Sequence, residues 1–229
     1  MHSIACSLLL CVAFSSVGQD QTSMKVEVLK EGPPSALGGA IRNVLSAQAY
    51  RILDENGRPF VDIWLRKAIP SAAKPAGPKG TIQFPFLSQG ELLGACQFAT
   101  EGHDYRDQEI AKGLYTLRYG LQPVNGDHLG VSPFRDYTLL LPAAKDNSLD
   151  LPPRKQLEER SAEAAGTSHP AVLMLLSSPA DELKKAPLMV HDSDKNTWSA
   201  ALPVALAVKG QDRPHFYSVR FVVVGVGPT

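Results

Sequence analysis

Three histidines in this chain stand directly beside an aspartate: His103-Asp104, Asp127-His128 and His191-Asp192. Imidazole and carboxylate are the nitrogen and oxygen ligands of zinc-type sites, and side by side they also form a general acid–base pair. His103, Asp104, Asp127 and His128 fall within one stretch, so a metal-binding protein or metal-dependent enzyme built on those four is one reading of the chain. Nothing in the spacing fixes a coordination geometry, because the chain has no His-Glu-x-x-His helix, no cysteine pair at metal-site spacing and no EF-hand loop. Neighbours on a strand point to opposite faces, and His-Asp dipeptides also serve as turn chemistry.

The same acids have a second use. Arg106, Arg118 and Arg135 lie near Asp104, Asp127 and Asp136 in the sequence, and ion pairs that hold the long connections are the favoured expectation. The candidate ligand-binding loops therefore carry His103, Asp104, Arg106, Asp127, His128, Arg135 and Asp136, and no residue is assigned a catalytic role. Ser132, in Gly130-Val131-Ser132-Pro133-Phe134, starts like a nucleophile elbow but lacks the glycine two residues later. No Gly-x-Gly-x-x-Gly segment occurs, so nothing specifies a nucleotide, and no cofactor is indicated. Cys96 sits among Ala95, Gln97 and Phe98, a strand-like setting that reads as a buried, inert thiol.

These residues have to be positioned by strands. The chain has 229 residues, 18 Gly and 18 Pro, a turn-rich composition that disfavours a helical bundle. Period-two alternation recurs from end to end: Met24–Val28, Tyr50–Ile52, Phe60–Arg66, Gly80–Phe86, Leu92–Phe98, Leu114–Leu121, Tyr137–Leu141, Ala171–Leu176, Thr197–Val208 and Phe216–Val224 are the expected strands. Tyr115, Leu117, Tyr119 and Leu121 share one face, with Thr116, Arg118 and Gly120 on the other. Without a strand-then-helix rhythm, this predicts an all-β fold, an antiparallel two-sheet β-sandwich with one surface helix in a long connection. That helix follows Pro152-Pro153, runs over 154–165, stops at Gly166 and reads as a solvated insertion. Lys67–Lys79 reads as an extended Pro/Ala/Lys connection, and Pro203 marks an edge or a bulge. The loops on either side of the 114–121 strand are expected at its opposite ends, hence at separate sites.

Twenty-three basic residues balance 23 acidic ones, which disfavours nucleic acid as a partner. Ile4–Phe14 is an apolar run of signal-peptide length, followed by small residues at Ser16 and Gly18. The expected organisation is a secretory signal over 1–18, cleaved after Gly18 or kept as an anchor, then a single domain over 19–229, secreted or periplasmic and not inserted in a membrane. Asp104-Tyr105-Arg106 through Gly113-Leu114-Tyr115-Thr116-Leu117 resembles uncharacterised secreted bacterial β-sandwich proteins in which a Gly-x-Tyr-x-Leu segment enters a strand. The resemblance covers roughly fifteen residues, lacks the Trp-Arg-x-Gly-Ala-Asn segment of related families, and carries over no functional residue; it implies an exported all-β domain. The leading expectation is a non-enzymatic binding or accessory protein of the cell envelope, with an unknown protein or small molecule as ligand. A purely structural module, associating through a strand edge, is a further alternative.

Overall fold

A computed structural model describes residues 23–124 and 132–225. The expected signal over 1–18 and the Asp127-His128 pair lie outside the described residues. The fold is mostly β. Its strands are β1 (Lys25–Leu29), β2 (Ala49–Leu53), β3 (Pro59–Leu65), β4 (Ile69–Ser71), β5 (Leu92–Phe98), β6 (Gly102–His103), β7 (Glu109–Ile110), β8 (Gly113–Leu121), β9 (Asp136–Pro142), β10 (Val172–Ser177), β11 (Leu188–Asp192), β12 (Thr197–Val208) and β13 (His215–Val224). Among the described residues three α-helices and a 3-10 turn (Ala143–Lys145) interrupt them, the helices being α1 (Gly39–Val44), α2 (Arg154–Ala165) and α3 (Ala180–Leu183).

Where two separate sheets were expected, one continuous sheet runs in the order β1-β2-β3-β5-β8-β9-β10-β13-β12-β11, and it curls into a half-barrel. Its joint is β10. Val172, Leu173 and Met174 pair with β9, whereas Leu175, Leu176 and Ser177 pair with β13, so one short strand turns the corner between two ladders. The sheet is mixed because β4 lies parallel to the end of β12, pairing Ile69 with Leu206. Between the partners β11 and β4, β12 has a neighbour on one side only, and Pro203, which has no N–H to donate, occupies that gap.

The concave side holds the main core, to which β8 contributes Tyr115, Leu117 and Tyr119 as its alternation requires. Phe84, Phe86 and Tyr217 close one end with edge-to-face ring contacts. Phe84 and Phe86 belong to the segment Gly80–Phe86, expected as a strand and found as a loop. The buried carboxylate of Asp136 accepts the backbone N–H groups of Gln83 at 2.8 Å and Phe84 at 3.0 Å, donors that a ladder would have used, and Pro85 has none. The Gln83 side chain substitutes for a strand neighbour, accepting from Ser177 N–H at 2.6 Å and donating to the Leu175 carbonyl at 3.3 Å.

Part of the convex side is covered by α2. α2 forms over the residues expected and ends at Gly166 in the left-handed conformation, φ 61°. It is docked on the sheet rather than solvated: Leu157, Ser161 and Ala164 form a buried stripe at spacings of four and three, and Leu157 packs on Leu139 and Leu141 of β9. Ser161 Oγ donates to the Ala171 carbonyl at 2.8 Å, and Ala171 N–H donates back to the Ser161 carbonyl at 3.2 Å. The propensity pattern was correct about the helix, but three small or apolar contacts were enough to dock it.

Two hairpins are built on one loop design. Asp54 Oδ1 accepts the N–H groups of Asn56 and Arg58 at 2.9 and 2.8 Å; Asp104 Oδ1 accepts those of Arg106 and Gln108 at 2.8 and 2.9 Å. The fourth residue of each loop has positive φ, 75° at Gly57 and 63° at Asp107. A side chain is strained there, so Asp107→Gly is expected to raise stability by about 0.5–1 kcal/mol, with Gly57→Ala lowering it comparably. Urea unfolding midpoints of the two variants provide the check, and equal midpoints for Asp107→Gly and the parent chain would show that no strain is stored at Asp107.

Candidate functional site

The β6–β7 hairpin does not stay at the end of β8. Asp104 Oδ2 accepts Val172 N–H at 3.2 Å and Tyr105 N–H donates to the Val172 carbonyl at 3.2 Å, so the hairpin lies back over the convex face beside β10. Tyr105 packs with Tyr137, Met174 and Val222 beneath it. This fold-back brings Arg106 to a groove that Gln122 and Pro123, from the other end of β8, also line. The two connections expected at separate sites therefore meet in one.

The groove is shallow and open-mouthed, about 660 Å³ of empty space when the solvent at its mouth is included. Leu139, Leu157, Val172, Pro170 and Leu121 make its floor and walls apolar. Gly120 is part of that floor because a Cβ there would stand 2.2 Å from Leu139 Cδ1; glycine lets Leu139 lie flat across β8. Polar groups gather at the rim: Arg106, Gln89, Gln122, and the ion pair of Arg154 Nε with Glu158 Oε1 at 2.7 Å. Tyr137 donates its hydroxyl to Gln122 Oε1 at 3.1 Å. Burial pushes the Tyr137 phenol up to about 12, with the nearby Tyr105 adding to the rise and Arg106 opposing it, so it stays a neutral donor at any physiological pH. Gln122 is itself held by Arg135, whose Nε donates to the Gln122 carbonyl at 2.7 Å.

The other expected site residues are placed as follows. His103 is exposed at the end of β6 while Asp104, which opens the turn after it, is buried, so the two side chains do not converge on one site. Both oxygens of Asp104 are engaged by N–H donors: Arg106 and Gln108 on one, the Gln108 amide at 2.8 Å and Val172 on the other. Among the described residues, no group of three or more His, Cys, Asp or Glu is arranged to hold a metal ion. His191 is exposed and stacks on Trp198, ring centroids 4.3 Å apart. Asp136 anchors the 83–84 backbone and accepts the Tyr119 hydroxyl at 2.7 Å.

The expected ion pairs are corrected by the structure. Asp104 and Asp136 are held by backbone N–H, amide and hydroxyl donors, not by arginine side chains, and the partner of Arg118 is Asp146, in the connection after β9. Arg118 is completely buried, and each of its five N–H groups has an acceptor. Nε and Nη2 donate to the two Asp146 oxygens at 2.8 Å, Nη1 to the Gly90 and Asp150 carbonyls at 2.9 and 3.0 Å, and Nη2 also to the Ser148 carbonyl. This ties the convex face of β8 to the connection that leads into α2, and so sets one wall of the groove.

Comparison with protein-family models, with curated proteins and with solved structures finds no match to this chain. No helix among the described residues is long and apolar enough to cross a membrane.

Proposed function

We propose that this chain is a binding protein, exported as an accessory of the cell envelope, that holds a small molecule with an apolar body in the groove between α2 and the convex face of β8, β9 and β10. The observation that carries the reading is the groove itself, an apolar floor of Leu139, Leu157 and Val172 beneath a rim of a few polar groups. Ligand sites are built in this way: the floor supplies transfer free energy, and the sparse polar groups fix orientation. The concave interior keeps only a small, wholly apolar cavity among Phe84, Phe86, Phe221 and their neighbours, with no polar group to orient a ligand, so the convex groove is the better place for one. The apolar run Ile4–Phe14 supports the export part of the reading.

The test uses a neutral apolar dye, N-phenyl-1-naphthylamine, titrated into the purified protein. Its fluorescence is expected to rise saturably, and the thermal midpoint to rise by about 5–10 °C at a hundredfold excess over Kd, since ligand at that level adds about 2.7 kcal/mol to the native state. Gln89→Trp, at an exposed rim position, fills the mouth and is expected to abolish both effects without lowering the midpoint of the free protein. Undiminished dye binding by Gln89→Trp, or none by the parent chain, would sink the reading.

A further inference from the structure

We propose that the ligand of this groove is an organic acid, its carboxylate taken by Arg106 and its hydrocarbon body laid over Leu139, Leu157 and Val172; the proposal rests on the groove being the binding site. The argument is one of charge complementarity. Among the described residues, the charged side chains lining the groove are Arg106, Arg154 and Glu158. Arg154 and Glu158 already satisfy each other at 2.7 Å, one turn apart on α2, so they contribute a rim without a net charge. Arg106 remains. Its backbone N–H is bound by Asp104, which fixes where the side chain starts, but its guanidinium has no hydrogen-bond or ion-pair partner among the described residues.

A guanidinium presents a planar fork of donors that matches a carboxylate in two parallel bonds. Set beside apolar walls, such a fork selects a molecule that is anionic at one end and apolar along the rest. Among the described residues, a cationic ligand would find one acid at the groove, Glu158, already engaged by Arg154, and would face Arg106 as a like charge. The remaining polar groups suit an acid as well. The Tyr137 hydroxyl is committed to Gln122 Oε1, and the Gln122 amide nitrogen, without an acceptor among the described residues, is a further donor at the same rim. Arg106 therefore acts as the specificity determinant, and the floor supplies the bulk of the affinity.

Octanoic acid and 1-octanol have the same chain length and differ only in the head, so their displacement of N-phenyl-1-naphthylamine isolates the charge. At pH 7 octanoate is expected to displace the dye at roughly tenfold lower concentration than octanol, a difference of about 1.4 kcal/mol. Arg106→Gln is expected to bring the two within about twofold of each other while leaving octanol unchanged, and 1 M salt to shrink the preference in the parent chain because the Arg106 side chain is exposed. If octanol competes as well as octanoate, the acid proposal falls while the groove stands. If neither displaces a dye that Gln89→Trp excludes, the acid proposal falls again, and if the preference survives in Arg106→Gln, the carboxylate is read elsewhere. Failure of the dye itself to bind overturns the groove reading, and this proposal with it.

Discussion

Asp146→Ala is expected to destabilise the protein by about 3–5 kcal/mol, because it leaves a guanidinium sealed from water with three carbonyls and no countercharge. The Arg118 and Asp146 side chains are 0% and 2% exposed, so solvent can neither screen the loss nor fill the gap without unfolding the connection above them. For a chain of this size that is a fall of about 6–20 °C in the thermal midpoint. Thr116→Val, which removes only a 2.6 Å hydroxyl bond to the same carboxylate, is expected to cost about 1 kcal/mol. Arg118→Lys is not a conservative change here, since an ammonium offers three donors where five acceptors wait. Urea unfolding of the three variants measures the ranking, and a cost below about 1 kcal/mol for Asp146→Ala would show that the connection relaxes and lets water in. Because Gly90, Ser148 and Asp150 all bond to Arg118, the same variant is expected to loosen the approach to α2 and weaken dye binding in the groove.

Most strands were legible because a half-buried strand writes its burial into its own residues. Tyr115, Leu117, Tyr119 and Leu121 face the core, and that alternation needs no knowledge of the partner strands. What escaped has non-local causes. β4, β6 and β7 are two or three residues long, below the length at which alternation shows; β11 is a five-residue strand at the sheet's end whose burial does not alternate; and α1 and α3 span six and four residues. Gly80–Phe86 alternates as a strand should, yet it is a loop because Asp136, more than fifty residues later, takes its N–H groups. Arg118 finds its countercharge 28 residues away at Asp146, while Asp104 is taken by its own turn and Asp136 by the Gln83–Phe84 backbone and Tyr119, so sequence proximity misled the pairing. The groove was illegible for the same reason. Its residues come from the β6–β7 hairpin, β8, β9 and α2, and only the fold-back of the hairpin onto Val172 brings Arg106 beside Gln122. Arg106 was nevertheless among the candidates, singled out because a long loop on a rigid scaffold is where binding groups tend to sit.

Alkaline pH is expected to unfold this protein before its tyrosines titrate. All six, Tyr50, Tyr105, Tyr115, Tyr119, Tyr137 and Tyr217, are held above the ordinary phenol value, and for each the first cause is burial, which disfavours the phenolate. Tyr119 is the extreme case, because its hydroxyl points at the buried carboxylate of Asp136 and a phenolate there would face a second negative charge. The buried Cys96 thiol is raised as well, again by burial. A group whose folded pKa lies above its unfolded one contributes stability that is complete below the unfolded value and lost as pH rises through the folded one. Tyr137 alone, shifted from 10.0 to about 12, gives up roughly 2–3 kcal/mol across that interval, and the other tyrosines add to it. Stability should therefore be flat to about pH 9 and collapse between about 10 and 12. In a spectrophotometric titration at 295 nm the phenolate signal is expected to stay low at pH 10, then rise in one cooperative step that coincides with loss of the β signal in circular dichroism. Thiol labelling of Cys96 should switch on in the same step. A smooth, protein-wide titration centred near pH 10 with the circular dichroism intact would mean that these side chains are wetter than the packed core requires.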